Sequence, residues 1–296
     1  MKRLVTGLLS LSLLLGGCAS TSPSSSSAPP SALFADERFA PPSEAVGAQD
    51  LFALSPAMRD YLHSATFTQR LRAKGMRHGL VDALYSKTDL KLEYESRITR
   101  TASETYEARM GNCLSLVIMT AAFAKELGMP VRFRSVEVAD SWSRSAGIYL
   151  SSAHINISLG QPASDVLRGY DPDRVLVVDF IPREEAASLR TRELEEEDVV
   201  ALYLNNRAAE ALVQGHTIDA YWWARAAVAA RPGTATTLNT LAVIYHRHGE
   251  LALAERTFQA ALAREPENLS VLRNLEPLLL ALGRPLEAQA LAKRIA

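Results

Sequence analysis

Apolar residues follow four different rhythms along the chain. Leu4 to Leu15 is a nearly unbroken apolar run behind Lys2 and Arg3. It is shorter than the ~20 residues a membrane-spanning helix needs and has the length of a signal-peptide core. Residues 19–31 are Ser, Pro, Thr and Ala throughout, a composition that cannot bury a core. A flexible tether is expected over residues 18–47, with weak order continuing to about Gly47. From Leu51 to Glu196, short alternating segments surround one stretch that is apolar on nearly every side. Beyond residue 199 the chain repeats itself.

In the third region, Ser55-Pro56 ahead of Ala57-Met58-Arg59 reads as a helix N-cap with proline in the first turn. A second helical stretch runs from Thr66 to about Tyr85, weakened by Gly75 and Gly79. Leu90, Leu92 and Tyr94 alternate with polar residues and predict a short strand. Thr101 to Arg109 is polar and helix-compatible, and Gly111-Asn112 breaks it. From Cys113 to Leu127, the residues Leu114, Leu116, Val117, Ile118, Met119 and Phe123 leave no polar face, which predicts a buried helix. Gly128 and Pro130 end it. Arg132–Glu137, Gly147–Leu150, His154–Ile157 and Val175–Phe180 read as strands. One central helix followed by several strands is an α+β pattern.

The fourth region carries a period of 34 residues: Gly215, Gly249 and Gly283, then Ala220, Ala254 and Ala288, then Pro232 and Pro266. Small residues at fixed offsets let two antiparallel helices approach closely. Units of about 201–234, 235–268 and 269–296 follow. The middle one reads Leu238-x-x-Leu241-Ala242-x-x-Tyr245, then Ala254-x-x-x-Phe258, then Pro266, and resembles the tetratricopeptide pattern. The third departs from it with Glu276-Pro277 inside its first helix. The resemblance implies an all-α solenoid over residues 199–296, with a short concave surface that binds a protein partner or docks on the middle region. Trp222-Trp223 is read as packing, and the acidic run Glu193 to Asp198 as a solvated boundary and helix start.

Composition narrows the function. The chain has 296 residues, 48% hydrophobic and 22% charged, with a formal net charge of -1, as expected of about two globular domains. No Lys/Arg-rich run is present, which argues against nucleic acid as a partner. The segment Leu15-Gly16-Gly17-Cys18 resembles a bacterial lipobox. That resemblance implies a signal peptide over residues 1–17, lipidation of Cys18 and stable attachment to a membrane. Ala19 in place of an acidic residue implies the outer membrane, facing the periplasm. With Cys18 acylated, Cys113 is the one thiol left of two cysteines. In an oxidising compartment a lone thiol needs burial or a task.

Candidate chemistry centres on Cys113, at the head of the buried helix in Arg109-Met110-Gly111-Asn112-Cys113-Leu114-Ser115. A helix N-terminus favours thiolate over thiol, and its N–H groups can hold a developing oxyanion. His154 stands on a strand and Asp179 closes the apolar run Val175-Leu176-Val177-Val178, where a carboxylate needs a partner. Nucleophile, base and orienter is the arrangement these types allow. Asp165, Asp171 and Asp173 are alternative acids, and Asn112 is a candidate oxyanion donor or a helix cap. His63, His78, His216, His246 and His248 show no metal-ligand spacing. No phosphate-binding glycine loop is present either, so neither cofactor nor metal is expected.

The stretch from Thr101-Ala102 through Gly111-Asn112-Cys113, continuing to Phe123-Ala124-Lys125-Glu126-Leu127-Gly128-Met129-Pro130-Val131-Arg132, resembles the core of the papain-related transglutaminase-like superfamily. The likeness extends over about Leu51 to Glu196, with domain limits of 48–196. It implies an α+β papain-like domain in which Cys113 is the nucleophile, His154 the base and Asp179 the orienter. Such an enzyme forms a thioester from an amide or peptide and resolves it with water or an amine. Two functions of different class follow. One is a membrane-anchored envelope cysteine hydrolase or acyl-transferase whose repeats recruit a protein substrate or partner. The other is a non-catalytic envelope scaffold that binds proteins through those repeats.

Overall fold

The computed structural model describes residues 30–86, 89–136, 142–145, 148–151, 154–160, 175–180 and 191–295. The apolar run at residues 4–15, Cys18, and the alternative acids Asp165, Asp171 and Asp173 lie outside them. The architecture mixes helix and strand. Among the described residues every strand falls between Glu93 and Leu194, and no helix is long and apolar enough to cross a membrane.

Ser55 caps α1 (Pro56–His63), its side chain accepting from the Met58 N–H, with Pro56 where a missing N–H costs nothing. The helical stretch expected to reach Tyr85 is two helices, α2 (Ala65–Lys74) and α3 (Met76–Tyr85). Gly75 separates them at φ 78°, a conformation that only glycine adopts without steric cost. Strand β1 (Glu93–Tyr94) pairs in parallel with β2 (Met110–Gly111). Between them lies α4 (Ala102–Ala108), opened by a Thr101–Glu104 capping box. Then comes α5 (Cys113–Glu126), in which Val117, Ile118, Met119, Ala121, Phe123 and Ala124 are fully buried. Gly128, at φ 70°, turns the chain out of it.

Helix α5 lies against a four-stranded antiparallel sheet built from β3 (Val131–Val136), β6 (His154–Leu159), β7 (Leu176–Val178) and β8 (Thr191–Leu194). The strand order is β7-β6-β3-β8. Strand β6 is buried along its whole length. Ile155, Ile157 and Leu159 belong to the apolar core, and His154, Asn156 and Ser158 form a buried polar row on the opposite face. Strands β4 (Trp142–Ser145) and β5 (Ile148–Ser151) form a separate hairpin.

Three helical hairpins follow: α6 (Glu196–Val213) with α7 (Thr217–Ala230), α8 (Ala235–His248) with α9 (Leu251–Leu262), and α10 (Leu269–Ala281) with α11 (Pro285–Ile295). The 34-residue period has a plain origin. Gly215, Gly249 and Gly283 sit at φ 84°, 91° and 71° in the turn of each hairpin. Ala220, Ala254 and Ala288, all buried, lie early in each second helix. Pro277 is accommodated inside α10. The acidic run closes β8 and opens α6, where Glu195 and Asp198 form a capping box and Asp198 pairs with Arg231 at 2.9 Å. Strand β5 lies against α8 and α10, the first helices of the second and third hairpins.

Residues 30–47 differ from the expected tether. Leu33, Ala35 and Phe39 are buried, and this arm is strapped across the repeats. Phe39 stacks on Tyr221 with ring centroids 3.8 Å apart. The Tyr221 hydroxyl donates to Asp36 and accepts from the Ala35 N–H at 3.0 Å. Tyr245 donates to the Leu33 carbonyl at 2.6 Å, and Trp222 to that of Ala40 at 2.7 Å. The Ser/Pro-rich composition ends near Ser31, and three apolar anchors within seven residues bury enough surface to order the arm. One continuous core therefore runs from Leu33 to Leu278, and a small cluster of Leu272, Leu279, Ala288 and Leu291 closes the far end.

Candidate functional site

The site forms where the first turn of α5 meets the open ends of β6 and β7. Helix α5 begins abruptly because Asn112 caps it. The Asn112 Oδ1 accepts from the backbone N–H and the hydroxyl of Ser115, both at 2.9 Å, while Nδ2 donates to Thr99 Oγ1 at 2.7 Å. The Asn112 side chain is thus engaged as a cap at Oδ1 and through one of its two Nδ2 N–H groups. The Leu116 N–H is taken by the Asn112 carbonyl. That leaves the N–H groups of Cys113 and Leu114 without an intrahelical acceptor. Gly111 is required by packing, since a Cβ there would meet the Ser115 Cβ at 2.7 Å. Cys113, partly exposed, is a free thiol.

His154 is 5% exposed and begins β6. Strands β6 and β7 pair with Ile157 opposite Val178. One further step in that register sets Asn156 opposite Asp179, with His154 two residues along on the same face. The contacts agree: His154 Nε2 meets Asp179 Oδ1 at 2.7 Å, and Asn156 Nδ2 donates to Asp179 Oδ2 at 3.4 Å. Tyr85 on α3 donates to the Asp179 carbonyl at 3.0 Å and packs its ring 5.7 Å from Phe180, bracing the end of β7.

With Nε2 committed to the carboxylate, Nδ1 is the nitrogen left for the thiol. It is buried and has no close hydrogen-bond partner. Burial alone would lower the imidazole pKa. The bond to Asp179 and the nearby Cys113 sulfur outweigh burial and raise it to about 9. That direction favours the imidazolium, with the Cys113 sulfur as the acceptor nearest to its second N–H.

The structure thus brings Cys113, His154 and Asp179 together. It adds three residues that the sequence reading passed over. Asn156 is the second donor to Asp179, and its signal was the two-residue spacing from His154. Tyr85 left no readable signal. Tyr94 stands opposite Gly111 across the β1–β2 pair and is 58% exposed. Its phenol pKa is raised by partial burial and by the charges of Cys113 and Glu95.

Compared with protein-family models, curated proteins and solved structures, the chain matches none.

Proposed function

We propose that the chain is a cysteine hydrolase or acyl-transferase acting on amide or peptide bonds, of transglutaminase-like fold and carrying three tetratricopeptide repeats. The observation that carries this reading is the buried His154–Asp179 pair beside Cys113, with Nδ1 unpartnered. In this reading the imidazolium and the Cys113 thiolate are each other's counter-ion. The thiolate attacks the substrate carbonyl, and the Cys113 and Leu114 N–H groups receive the oxyanion. As the C–N bond breaks, His154 Nδ1–H protonates the departing amine, leaving a thioester. Neutral Nδ1 then takes a proton from water or an amine, which attacks the thioester and releases the thiolate. Asp179 fixes the ring and its tautomer throughout.

Lipidation at Cys18 would place this activity on the envelope membrane, facing the periplasm. The repeats would bring a protein substrate or partner. The alternative of a non-catalytic scaffold is less favoured. Strand β5 and the N-terminal arm already lie against the repeats, and a scaffold gains nothing from an imidazolium buried beside a free thiol.

The test is the pH dependence of iodoacetamide labelling at Cys113, measured on the full chain in detergent beside His154→Ala. Labelling that is already fast at about pH 5–6, and slows in the variant, supports the enzyme. A thiol inert until about pH 8–9, as for an ordinary cysteine, sinks it.

A further inference from the structure

The loop between β1 and α4 connects the candidate nucleophile to the first repeat hairpin. Thr99, fully buried, is its centre. Its hydroxyl oxygen accepts from Asn112 Nδ2 at 2.7 Å and from Asn206 Nδ2 at 3.2 Å. Its N–H donates to Glu210 Oε1 at 2.8 Å. Asn206 and Glu210 stand one turn apart on α6. The next residue, Arg100, donates its N–H to Ser115 Oγ at 2.8 Å, in the first turn of α5.

Two residues of the repeat region therefore hold Thr99. Thr99 holds the amide of Asn112, whose other end caps the helix that begins with Cys113. A side-chain amide anchored at Nδ2 cannot rotate its Oδ1 away from the Ser115 N–H. Its anchor is Thr99, 13 residues earlier, and Thr99 is in turn held by Asn206 on α6, 107 residues beyond it. Glu210 also lines a cleft of about 330 Å³ with Glu44, Arg207, His216 and Asp219. The outer end of this chain of contacts faces solvent while its inner end carries the thiol.

We infer that Thr99 is a positioning residue for Cys113, and that α6 is part of the site's scaffold through Asn206 and Glu210. The repeats then do more than recruit: without α6 the nucleophile's helix loses the support of its cap. This inference rests on Cys113 being the nucleophile only for its consequence in reactivity. The structural link is read separately.

Two readouts test it on the full chain in detergent: the pH profile of Cys113 alkylation, and hydrogen exchange at the backbone N–H groups of Ser115 and Leu116. Thr99→Val keeps the shape and the N–H but removes the oxygen that anchors Asn112. At a temperature well below its melting point, it is expected to slow alkylation near pH 6 about fivefold and speed exchange at Ser115 by a similar factor, the scale of a lost helix cap. Glu210→Ala should act in the same direction, and Glu210→Gln, which still offers Thr99 an acceptor, should recover most of the loss. A role confined to global stability would lower the melting temperature of Thr99→Val and leave both readouts unchanged below it, and would overturn the inference. Should unmodified Cys113 label like an ordinary cysteine, the proposed activity falls and exchange alone decides. Faster exchange in Thr99→Val and Glu210→Ala then upholds the link between α6 and α5, and unchanged exchange overturns it.

Discussion

His154–Asp179 in the middle region and Arg225–Asp36 between the repeats and the arm both close at 2.7 Å, with opposite surroundings. The first pair is 5% and 14% exposed, the second 35% and 41%. Water and salt screen the second, so it is worth at most about 1 kcal/mol. The first is largely withdrawn from water, and there the same contact, together with the Cys113 sulfur, holds a proton on His154 to about pH 9. Distance describes both pairs equally well; burial is what sets them apart. The arm is held by other means: Phe39 stacked on Tyr221 and the hydroxyls of Tyr221 and Tyr245.

The comparison can be broken in descending steps. Phe39→Ala should cost the most, about 3 kcal/mol by chemical denaturation, as for other buried aromatic truncations. It should leave the His154 titration where it is. A change in that titration, followed by NMR of the ring protons, would mean that arm and site are one unit.

Asp179→Asn should cost up to roughly 3 kcal/mol near pH 6 and almost nothing above pH 9. The sign follows from His154 being raised from 6.5 to about 9: its contribution is complete below pH 6.5 and is lost as pH rises through 9. Stability measured across that window should slope more steeply in the natural chain than in the variant, where only the Cys113 contribution remains. Equal slopes would show that Asp179 is not what holds the proton.

Asp36→Asn should cost about 1 kcal/mol or less, and half-molar salt should erase most of the difference. The pair at His154 should ignore salt. An Asp36→Asn loss as large as that of Asp179→Asn would overturn the argument from exposure.

Much of this was legible in the chain. Gly128 marked the end of α5, and Gly215, Gly249 and Gly283 marked three turns, because each residue's effect is local. The strand that begins with His154 and the apolar run that Asp179 closes showed in their own composition. What stayed hidden depends on partners far away in sequence. Leu33 and Phe39 follow a Ser/Pro-rich stretch and become core only because Tyr221 and Tyr245 are there to receive them. Thr99 looked like loop until Asn112, Asn206 and Glu210 converged on it. Asn156 needed the β6–β7 register, which no single strand encodes.

Gly111, Asn112 and Cys113 are adjacent but answer to three separate demands. Gly111 is fixed by the Ser115 Cβ behind it, Asn112 by the cap, and Cys113, a free thiol, only by the reactivity proposed for it. On the proposed function, a descendant that abandoned catalysis would be free to change Cys113 while selection for folding kept Gly111 and Asn112 in place. The first two letters of the motif would outlive the activity, as a fossil of it. Among related chains, activity would have to be judged from Cys113, His154 and Asp179 varying or persisting together.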